Sequence, residues 1–244
     1  MKIQQALIIV LTSTLFVCSA VGVDIHFAGD STLAPRAADS QIKSWGDMLR
    51  PRLAEGCQIH NYAISGTSTV TFQKTWNTKL LGQVKEGDYV FIQFGHNDPW
   101  HTEKKYEKPG VPDRFCTPDQ YEANLRTFIA DVKAKKGIPV LFSPTPSRHF
   151  SKEGVWEGPG ARHQAYFDRL PGLAQSEKID FVDMTTFAGA VLKTMGVEAT
   201  KELYMVKYNG KDNTHPTESG ARILAELFLV DIRSRNLPLA ACFK

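Results

Sequence analysis

The amino-acid sequence predicts a three-layer α/β fold, in which a parallel β-sheet lies between two layers of helices. Two observations predict this class. Short apolar runs alternate with helical patterns along most of the chain. The runs are rich in β-branched and aromatic residues and nearly continuous in apolar character, as expected for strands that are covered on both faces. Such alternation is typical of a parallel sheet with helices on both sides.

The individual elements follow from these patterns. Strands are predicted at residues 23–28, 58–64, 89–94, 138–142 and 179–182. The clearest helix begins at residues 117–120, because their sequence TPDQ forms a capping box with proline at the first helical position. Gly137 is predicted to end that helix. A final helix follows Pro216, and its apolar stripe comprises Ile223, Leu224, Leu227 and Phe228.

The composition is that of a globular chain with one domain. Of 244 residues, 42% are hydrophobic and 23% are charged, which excludes collagen-like, low-complexity and disordered proteins. The formal net charge is +3, an excess too small to indicate a nucleic-acid-binding protein. A domain of this length buries enough surface that its fold does not depend on disulfides.

The first 20 residues have the features of a secretory signal peptide. A positive segment, an apolar segment and a group of small residues follow one another at positions 1–2, 6–17 and 18–20. We therefore expect a signal peptide at residues 1–20, an exported domain at residues 21–244, and a secreted or periplasmic protein. Two alternatives stay open: a membrane anchor, because the apolar stretch approaches spanning length, and lipid attachment at Cys18.

Three cysteines, Cys57, Cys116 and Cys242, remain in the predicted exported domain. An odd number allows at most one intramolecular disulfide, and the sequence leaves its pairing open. The chain has no C-x-x-C pair, which argues against a structural zinc site or a thioredoxin-like centre. Its seven histidines form no His-x-x-x-His pair, so metal-dependent hydrolysis is not expected.

Polar segments suited to acyl transfer lie at the ends of the predicted strands. Residues 29–32 (GDST) follow the first strand, residues 65–67 the second and residues 95–98 (GHND) the third. Residues 212–216 (DNTHP) precede the last helix. Since parallel strands end at one edge of the sheet, that edge collects a serine, a glycine amide, an asparagine amide, an aspartate and a histidine. Acyl transfer requires these groups.

Each group has a defined chemical role. Ser31 is the candidate nucleophile, and it needs a base because a free hydroxyl is barely ionised at neutral pH. His215 is the candidate base, and Asp212 would orient its ring and stabilise the imidazolium. The backbone N–H groups of Ser31 and Gly66 and the side-chain amide of Asn97 are candidate donors to the oxyanion.

A second Asp-x-x-His pair, Asp98 and His101, is an alternative to Asp212 and His215. It opens a long polar segment, whereas Asp212 and His215 lie at a loop-to-helix junction after the strands are complete. We therefore prefer Asp212 and His215. Each motif taken alone is commonly an ordinary turn, but the combination is far more specific.

The four segments together resemble the SGNH, or GDSL-type, hydrolase superfamily over nearly all of the predicted exported domain. The first block is present at residues 29–33, with Thr32 inserted before the usual leucine. The second block contributes Gly66, and the third and last are residues 95–98 and 212–215. The closest resemblance is to rhamnogalacturonan acetylesterases and their bacterial relatives, and it rests on residues 28–32, 45–46, 87–90, 93–98 and 212–215.

This resemblance implies a five-stranded parallel sheet of the SGNH, flavodoxin-like type. It also implies a triad of Ser31, His215 and Asp212 and an oxyanion hole formed by Ser31, Gly66 and Asn97. The implied activity is removal of acetyl groups from pectic polysaccharide, with no metal and no cofactor. The disulfides of the fungal members have no counterpart pattern here.

Two long polar segments, residues 99–116 and 145–162, follow strands and would lie over the active edge. Cationic residues lie within both segments, and aromatic residues lie within or just after them. The cationic residues are Lys104, Lys105, Lys108, Arg114, Arg148, Lys152 and Arg162, and the aromatic residues are Trp100, Tyr106, Trp156 and Tyr166. Such groups suit galacturonate carboxylates and sugar rings. We expect an acetylated polysaccharide or oligosaccharide to contact Asp30, His96, Trp100 and Arg148. The alternative, solvated surface charges with aromatic anchors, stays open.

Rival functions differ in what they require. An SGNH lipase, thioesterase or acetylxylan esterase would use the same chemistry on another acyl ester. A non-enzymatic carbohydrate-binding protein would not need the full set of catalytic groups. A flavodoxin-like cofactor binder would need a glycine-rich phosphate loop, which the sequence lacks. We expect a monomer without a nucleic-acid partner and without stable membrane association.

Overall fold

The computed structural model describes residues 22–244 and confirms the predicted fold class. Its strands are β1 (Asp24–Gly29), β2 (Gln58–Asn61), β3 (Tyr89–Gln93), β4 (Ile138–Phe142) and β5 (Asp180–Val182). They form one sheet in the order β2-β1-β3-β4-β5, and each neighbouring pair is parallel. The predicted signal peptide lies outside the described residues.

The helices cover both faces of this sheet. They are α1 (Gln73–Thr75), α2 (Pro118–Ala134), α3 (Ala161–Phe167), α4 (Arg169–Glu177), α5 (Met184–Ala199), α6 (Val206–Asn209) and α7 (Glu218–Ser234). Helix α1 continues into a π-helical turn at Trp76–Leu80. Between residues 22 and 244, no helix combines the length and the apolar character needed to cross a membrane.

Strand β3 explains why the predicted strands lack a polar alternation. Tyr89 and Phe91 pack into one hydrophobic core, beneath α5 and α7. Val90 and Ile92 pack into the other, beneath α2 and α4. Because both faces of the sheet are buried, residues on both sides of the strand are apolar and no polar alternation appears in the sequence. Full burial of one such side chain stabilises the fold by about 1.5–3 kcal/mol.

Strand β2 is shorter than predicted, and its end has a local cause. The sequence predicts a strand over residues 58–64, but regular pairing ends at Asn61. The Asn61 side chain accepts a hydrogen bond from the backbone N–H of Ala63 and donates one to the carbonyl of Leu33. Hydrogen bonds to β1 continue beyond the regular strand, since the N–H groups of Tyr62 and Ile64 donate to the carbonyls of Phe27 and Gly29 over 2.9 and 3.0 Å.

The capping box predicted for α2 is present. The Thr117 hydroxyl accepts from the N–H of Gln120, and the Gln120 side chain accepts from the N–H of Thr117. Helix α2 ends slightly earlier than Gly137. The left-handed residue is Lys136, with φ of 58°, and Gly137 follows it.

Trp45 and Gly46 have a structural role beneath the active edge. The indole N–H of Trp45 donates to Oε1 of Gln93, at the end of β3, over 2.9 Å. The Trp45 ring lies 5.6 Å from Phe142 and 5.8 Å from Phe228, centroid to centroid. A Cβ atom at position 46 would lie 2.5 Å from a ring carbon of Phe27, so only glycine allows this packing.

Candidate active site

Ser31 lies in a tight turn just beyond the carboxyl end of β1. The carbonyl of Asp30 accepts from the N–H groups of Leu33 and Ala34. The Asp30 carboxylate accepts from both the N–H and the hydroxyl of Thr32, each over 3.0 Å. These bonds fix the turn and hold the Ser31 hydroxyl at the edge. Strand β1 pairs with β2 on one side and β3 on the other, so this is the point where strand order reverses and open α/β sheets bind ligands.

The segment before α7 brings Asp212 and His215 to the same edge. One carboxylate oxygen of Asp212 accepts from the backbone N–H groups of Thr214 and His215, each over 3.0 Å. The other oxygen lies 2.8 Å from Nδ1 of His215. Nε2 of His215 lies 2.8 Å from Oγ of Ser31. Because an ionised carboxylate only accepts, Nδ1 carries the proton and Ser31 donates to Nε2.

Asp212 is held in its ionised form. Partial burial alone would raise the pKa of this carboxyl. The hydrogen bonds from the His215 ring and from two backbone N–H groups outweigh that effect and lower the pKa to about 2. Asp212 therefore keeps its negative charge beside His215 at every pH at which an esterase operates.

The three residues expected to donate to the oxyanion, Ser31, Gly66 and Asn97, line one groove. Within residues 22–244, the backbone N–H groups of Ser31 and Gly66 donate to no other group. Gly66 has φ of 81°, a left-handed conformation that glycine adopts without strain. The Asn97 amide donates one hydrogen to the carbonyl of Thr67 over 2.9 Å, and Arg114 lies 3.4 Å from its oxygen. These contacts fix the orientation of the amide, and its nitrogen keeps a second hydrogen to donate.

A groove of about 690 Å³ opens over these groups. Ser31, Gly66, Asn97 and His215 line its floor. The segment 99–116 forms one wall and contributes Lys105, Tyr106, Lys108 and Arg114 among others. The site is therefore an open depression with positive charge on one side, which suits an extended anionic ligand better than an enclosed small molecule.

The four residues that the sequence assigns to substrate contact lie in different environments. Asp30 is fully buried in the turn described above. His96 is half-buried, and burial lowers the pKa of its ring. Trp100 is 40% exposed, with the Arg162 guanidinium 4.0 Å from its ring centre, but it does not line the groove. Arg148 is 8% exposed and lies beneath the catalytic segment.

Arg148 contacts the catalytic segment from below. Its Nη1 and backbone N–H donate to the side chain and the carbonyl of Asn213, over 3.1 and 2.7 Å. Its Nε donates to the Thr200 hydroxyl over 3.0 Å, and its Nη2 to the carbonyl of Val197. Asn213 lies between Asp212 and Thr214, so the guanidinium supports the loop that carries Asp212 and His215. The geometry makes Arg148 a positioning residue rather than a ligand of substrate.

Sequence reasoning also missed some contacts of the site. The Arg36 guanidinium donates to the carbonyl of Ser31, and burial lowers its pKa. The hydroxyl of Ser147 lies 3.0 Å from that of Thr214 and joins the second polar segment to the catalytic loop. A lone arginine five residues after a serine carries no recognisable signal, so only the three-dimensional arrangement reveals its place.

The alternative pair, Asp98 and His101, is not brought together. Asp98 is fully buried and accepts from the N–H and hydroxyl of Thr69, over 2.8 and 2.6 Å. His101 is exposed and contacts Asp113 instead. Burial raises the pKa of Asp98 to about 6, and the bonds from Thr69 and Cys116 only partly oppose it.

One group of residues has the spacing of a metal site, but it lies at the opposite edge of the sheet. Within the described residues, ligand atoms of Asp24, His26 and Asp88 all lie within 4.8 Å of one another. The carboxylate of Asp88 already accepts from the N–H groups of Asp24 and Lys85 and contacts Nε2 of His26. These bonds satisfy the carboxylate, so the group acts as a structural link between β1 and the start of β3.

The chain is similar in sequence and in fold to known proteins. Rhamnogalacturonan acetylesterase RhgT of Bacillus subtilis (strain 168) is 27% identical over 229 residues, which cover 89% of this chain and 92% of that protein. An acetylxylan esterase of Geobacillus stearothermophilus is 30% identical over 179 residues, covering 72% and 73% of the two chains. The crystal structure of YxiM from Bacillus subtilis matches with a TM-score of 0.73 at 26% identity, covering 89% of this chain and 58% of that one.

A family model also matches most of the chain. Residues 27–223 match the GDSL-like lipase/acylhydrolase family. This range contains the five candidate catalytic and oxyanion-hole residues, Ser31, Gly66, Asn97, Asp212 and His215. Since the matched range runs from β1 into α7, the chain belongs to the GDSL-like lipase/acylhydrolase family.

Proposed function

We propose that the chain is a serine esterase that removes O-acetyl groups from pectic polysaccharide. The observation that carries the proposal is the hydrogen-bonded series from Ser31 through His215 to Asp212, with 2.8 Å at each step. It lies on the floor of an open groove next to three hydrogen-bond donors. Relatives that are named as acetylesterases support acetyl as the acyl group that is removed. The cationic wall of the groove supports an acidic carbohydrate as the substrate.

The first half of the reaction acylates Ser31. As the hydroxyl attacks the acetyl carbonyl, its proton passes to Nε2 of His215, and Asp212 stabilises the imidazolium that forms. The negative charge moves to the carbonyl oxygen, where the N–H groups of Ser31 and Gly66 and the amide of Asn97 can donate to it. Losing one such donor typically costs roughly a hundred- to a thousand-fold in rate.

Collapse of the tetrahedral intermediate completes the acylation, and hydrolysis then restores the enzyme. His215 gives its proton to the sugar oxygen as the carbon–oxygen bond breaks, and the alcohol leaves. Water then attacks the acetyl-serine, with His215 again accepting the proton, and acetate is released. No step requires a metal or a cofactor, since the charge that develops is met by hydrogen-bond donors alone.

The substrate proposal rests on charge. Lys105, Lys108 and Arg114 line the groove beside the reacting groups, and Tyr106 is 62% exposed there. A galacturonate carboxylate pairs with such cations, and an exposed aromatic face packs on a sugar ring. Glu107 also lines the groove, so the positive charge is partly offset locally.

A second candidate is deacetylation of xylan, because the acetylxylan esterase relative is the one at 30% identity. Xylan lacks the regular carboxylates of pectin. Initial rates on acetylated rhamnogalacturonan and acetylated xylan should therefore be compared at matched acetyl content and at low and high salt. A higher kcat/KM on rhamnogalacturonan that falls with salt supports the pectic substrate, whereas equal or better activity on xylan contradicts it.

The nucleophile is tested with Ser31→Ala. Turnover of a chromogenic acetate should fall roughly 10⁴–10⁶-fold while the circular dichroism spectrum is unchanged. The matched control is Ser176→Ala, an exposed serine on α4, which should keep full activity. Retained activity in a folded Ser31→Ala protein would rule out the proposed triad.

We also propose that the protein is exported and loses residues 1–20. The positive, apolar and small-residue segments at the amino terminus support this proposal. Expression of the full chain in a secreting host, followed by amino-terminal sequencing of the exported protein, should give Val21 as the first residue. Recovery of the protein only inside the cell, with Met1 or Lys2 at its start, contradicts the proposal.

A further inference from the structure

Two of the three described cysteines meet at the edge of the sheet opposite Ser31. Cys57 directly precedes β2, and Cys242 lies in the last turn of the chain. The chain end runs antiparallel to residues 52–54. Leu53 forms a β-bridge with Phe243, and the N–H of Ala54 donates to the carbonyl of Cys242 over 2.9 Å.

A tight turn brings Cys57 back to this pairing. The N–H of Cys57 donates to the carbonyl of Ala54 over 3.2 Å, which closes a four-residue turn. Gly56 occupies the third position with φ of 83°, the conformation that a type II turn requires there. Cys57 is thereby folded onto Ala54, the residue that is bonded to Cys242.

The two side chains share one environment. Cys242 is 4% exposed and belongs to the core beneath α5 and α7, and Cys57 is half-buried and packs against that core. Burial, with a smaller contribution from the neighbouring Cys57, raises the pKa of the Cys242 thiol to about 12. Cys57 is the more exposed of the two, so an oxidant in solution reaches it first.

We propose that Cys57 and Cys242 form a disulfide under oxidising conditions, while Cys116 remains a free thiol. With a small-molecule disulfide as oxidant, the Cys57 thiolate attacks one sulfur and releases one thiol. Cys242, after losing its proton, attacks the sulfur of Cys57 and releases the second thiol. The two protein thiols lose two protons and two electrons, and the oxidant takes them up.

Cys116 is set apart by its own contacts. It is 1% exposed, and its Sγ donates to a carboxylate oxygen of Asp98 over 3.5 Å. It lies on the face of the sheet covered by α2, in the other hydrophobic core. This difference explains how an odd number of cysteines divides into one pair and one buried thiol.

The bond would join the carboxyl terminus to the start of β2 and enclose most of the domain. A cross-link that closes so long a loop restricts the unfolded chain strongly, so oxidation should raise the melting temperature by roughly 5–15 °C. Because the cysteines lie at the amino edge of the sheet and Ser31 at the carboxyl edge, activity on a chromogenic acetate should not change.

The test uses the full chain, equilibrated with oxidised or with reduced glutathione. After unfolding, free thiols are alkylated and the protein is digested and analysed by mass spectrometry. Oxidised protein should yield one cross-linked peptide pair containing Cys57 and Cys242, with Cys116 alkylated. The melting temperature should differ between the two samples in the native sequence but not in Cys57→Ser or Cys242→Ser.

Three results would overturn the proposal. One is alkylation of both Cys57 and Cys242 after oxidation. Another is a glutathione adduct that persists on Cys57. The third is a cross-link that involves Cys116. The peptide map reads all three from native protein, so the conclusion does not depend on whether a cysteine variant folds.

Discussion

The two long polar segments of this chain, residues 99–116 and 145–162, have similar compositions, but their cationic and aromatic side chains lie in different environments. In the first segment, Lys105 and Lys108 are exposed and line the groove. In the second, Arg148 is buried beneath the catalytic loop and donates to three separate residues. A cationic side chain therefore faces the groove in one segment and bonds to other parts of the protein in the other.

The difference follows from the side chains themselves. A guanidinium has five donors in a fixed plane and can satisfy several fixed carbonyl and hydroxyl groups at once. An ammonium is compact, strongly hydrated and better suited to solvent. The buried carboxyl group of Asp98 is likewise held by several hydrogen bonds. It directly precedes the first segment and accepts from Thr69 and from Cys116, which is the last residue of that segment.

The aromatic residues divide in the same way. Tyr106, in the first segment, is 62% exposed in the groove. Tyr166, just after the second segment, is 5% exposed, and its hydroxyl donates to the carbonyl of Cys116 over 2.6 Å. The indole N–H of Trp156 donates to the carbonyl of Ser147 over 3.1 Å. The first segment presents its aromatic group to a ligand, and the second uses its aromatic groups to hold the backbone.

The largest effect should come from Arg148→Leu. Without the guanidinium, Thr200, Asn213 and the carbonyl of Val197 lose a donor, so the free energy of unfolding should fall by about 2–4 kcal/mol. The loop carrying Asp212 should shift, and kcat on a chromogenic acetate should fall roughly 10–100-fold. Urea unfolding and initial rates measure both quantities.

Arg162→Leu is the control for Arg148→Leu, since Arg162 is an exposed arginine at the end of the same segment. Its unfolding free energy should stay within about 0.5 kcal/mol of the native value. If Arg148→Leu instead keeps its stability and its rate on the small acetate, and loses activity only on polysaccharide, then Arg148 is a substrate ligand and the contrast between the segments fails.

The next effect concerns the carboxylate under the first segment. Burial raises the pKa of Asp98 to about 6, so between about pH 4 and 6 the folded protein binds a proton that the unfolded chain releases. This contribution to stability is fully present below about pH 4 and is lost as the pH rises through about 6. Asp98→Asn removes the titration and keeps an oxygen that can accept from Thr69.

The measurement is urea unfolding of the native and Asp98→Asn proteins from pH 4 to pH 7. The variant should gain about 1–3 kcal/mol relative to the native protein over that range. A constant difference between the two curves would mean that the ionisation of Asp98 is not coupled to folding. The first segment would then not differ from the second in having an ionisable carboxyl group whose burial affects stability.

The smallest effect should come from the exposed lysines of the groove. In the double variant Lys105→Ala/Lys108→Ala, KM for acetylated rhamnogalacturonan should rise roughly tenfold, because each lysine contributes on the order of 1 kcal/mol to a carboxylate contact. Stability and kcat on a chromogenic acetate should not change. Lys152→Ala, in the second segment, is the matched control and should leave KM unchanged. A similar rise in KM for Lys152→Ala would mean that the cationic residues of the two segments do not differ in their effect on substrate binding.

The elements of the fold follow closely from local sequence. Apolar runs locate the strands because burial on both faces removes polar alternation, and the TPDQ sequence locates the start of α2 because its capping bonds are made within four residues. The early end of β2 was missed, since it depends on a contact between Asn61 and Leu33, 28 positions apart.

The candidate catalytic residues could also be predicted from the sequence, whereas the residues that contact and support them could not. Ser31, Asn97 and His215 follow from their positions at strand ends and before a helix. The burial and the partners of Arg148 were not predicted, because its acceptors are 49 to 65 positions away in the chain and no local pattern separates it from an exposed lysine. The one available signal was residue type: arginine tolerates a buried, multiply bonded site better than lysine does.

The separation of Ser31 and His215 along the chain has a consequence for biosynthesis. Their hydrogen bond joins residues 184 positions apart. At ordinary rates of translation, the serine leaves the ribosome roughly 10–40 s before the histidine is made. During that interval the nascent chain has a nucleophile without a base. The hydrogen bond between Ser31 and His215 therefore forms only after the last part of the chain has been made.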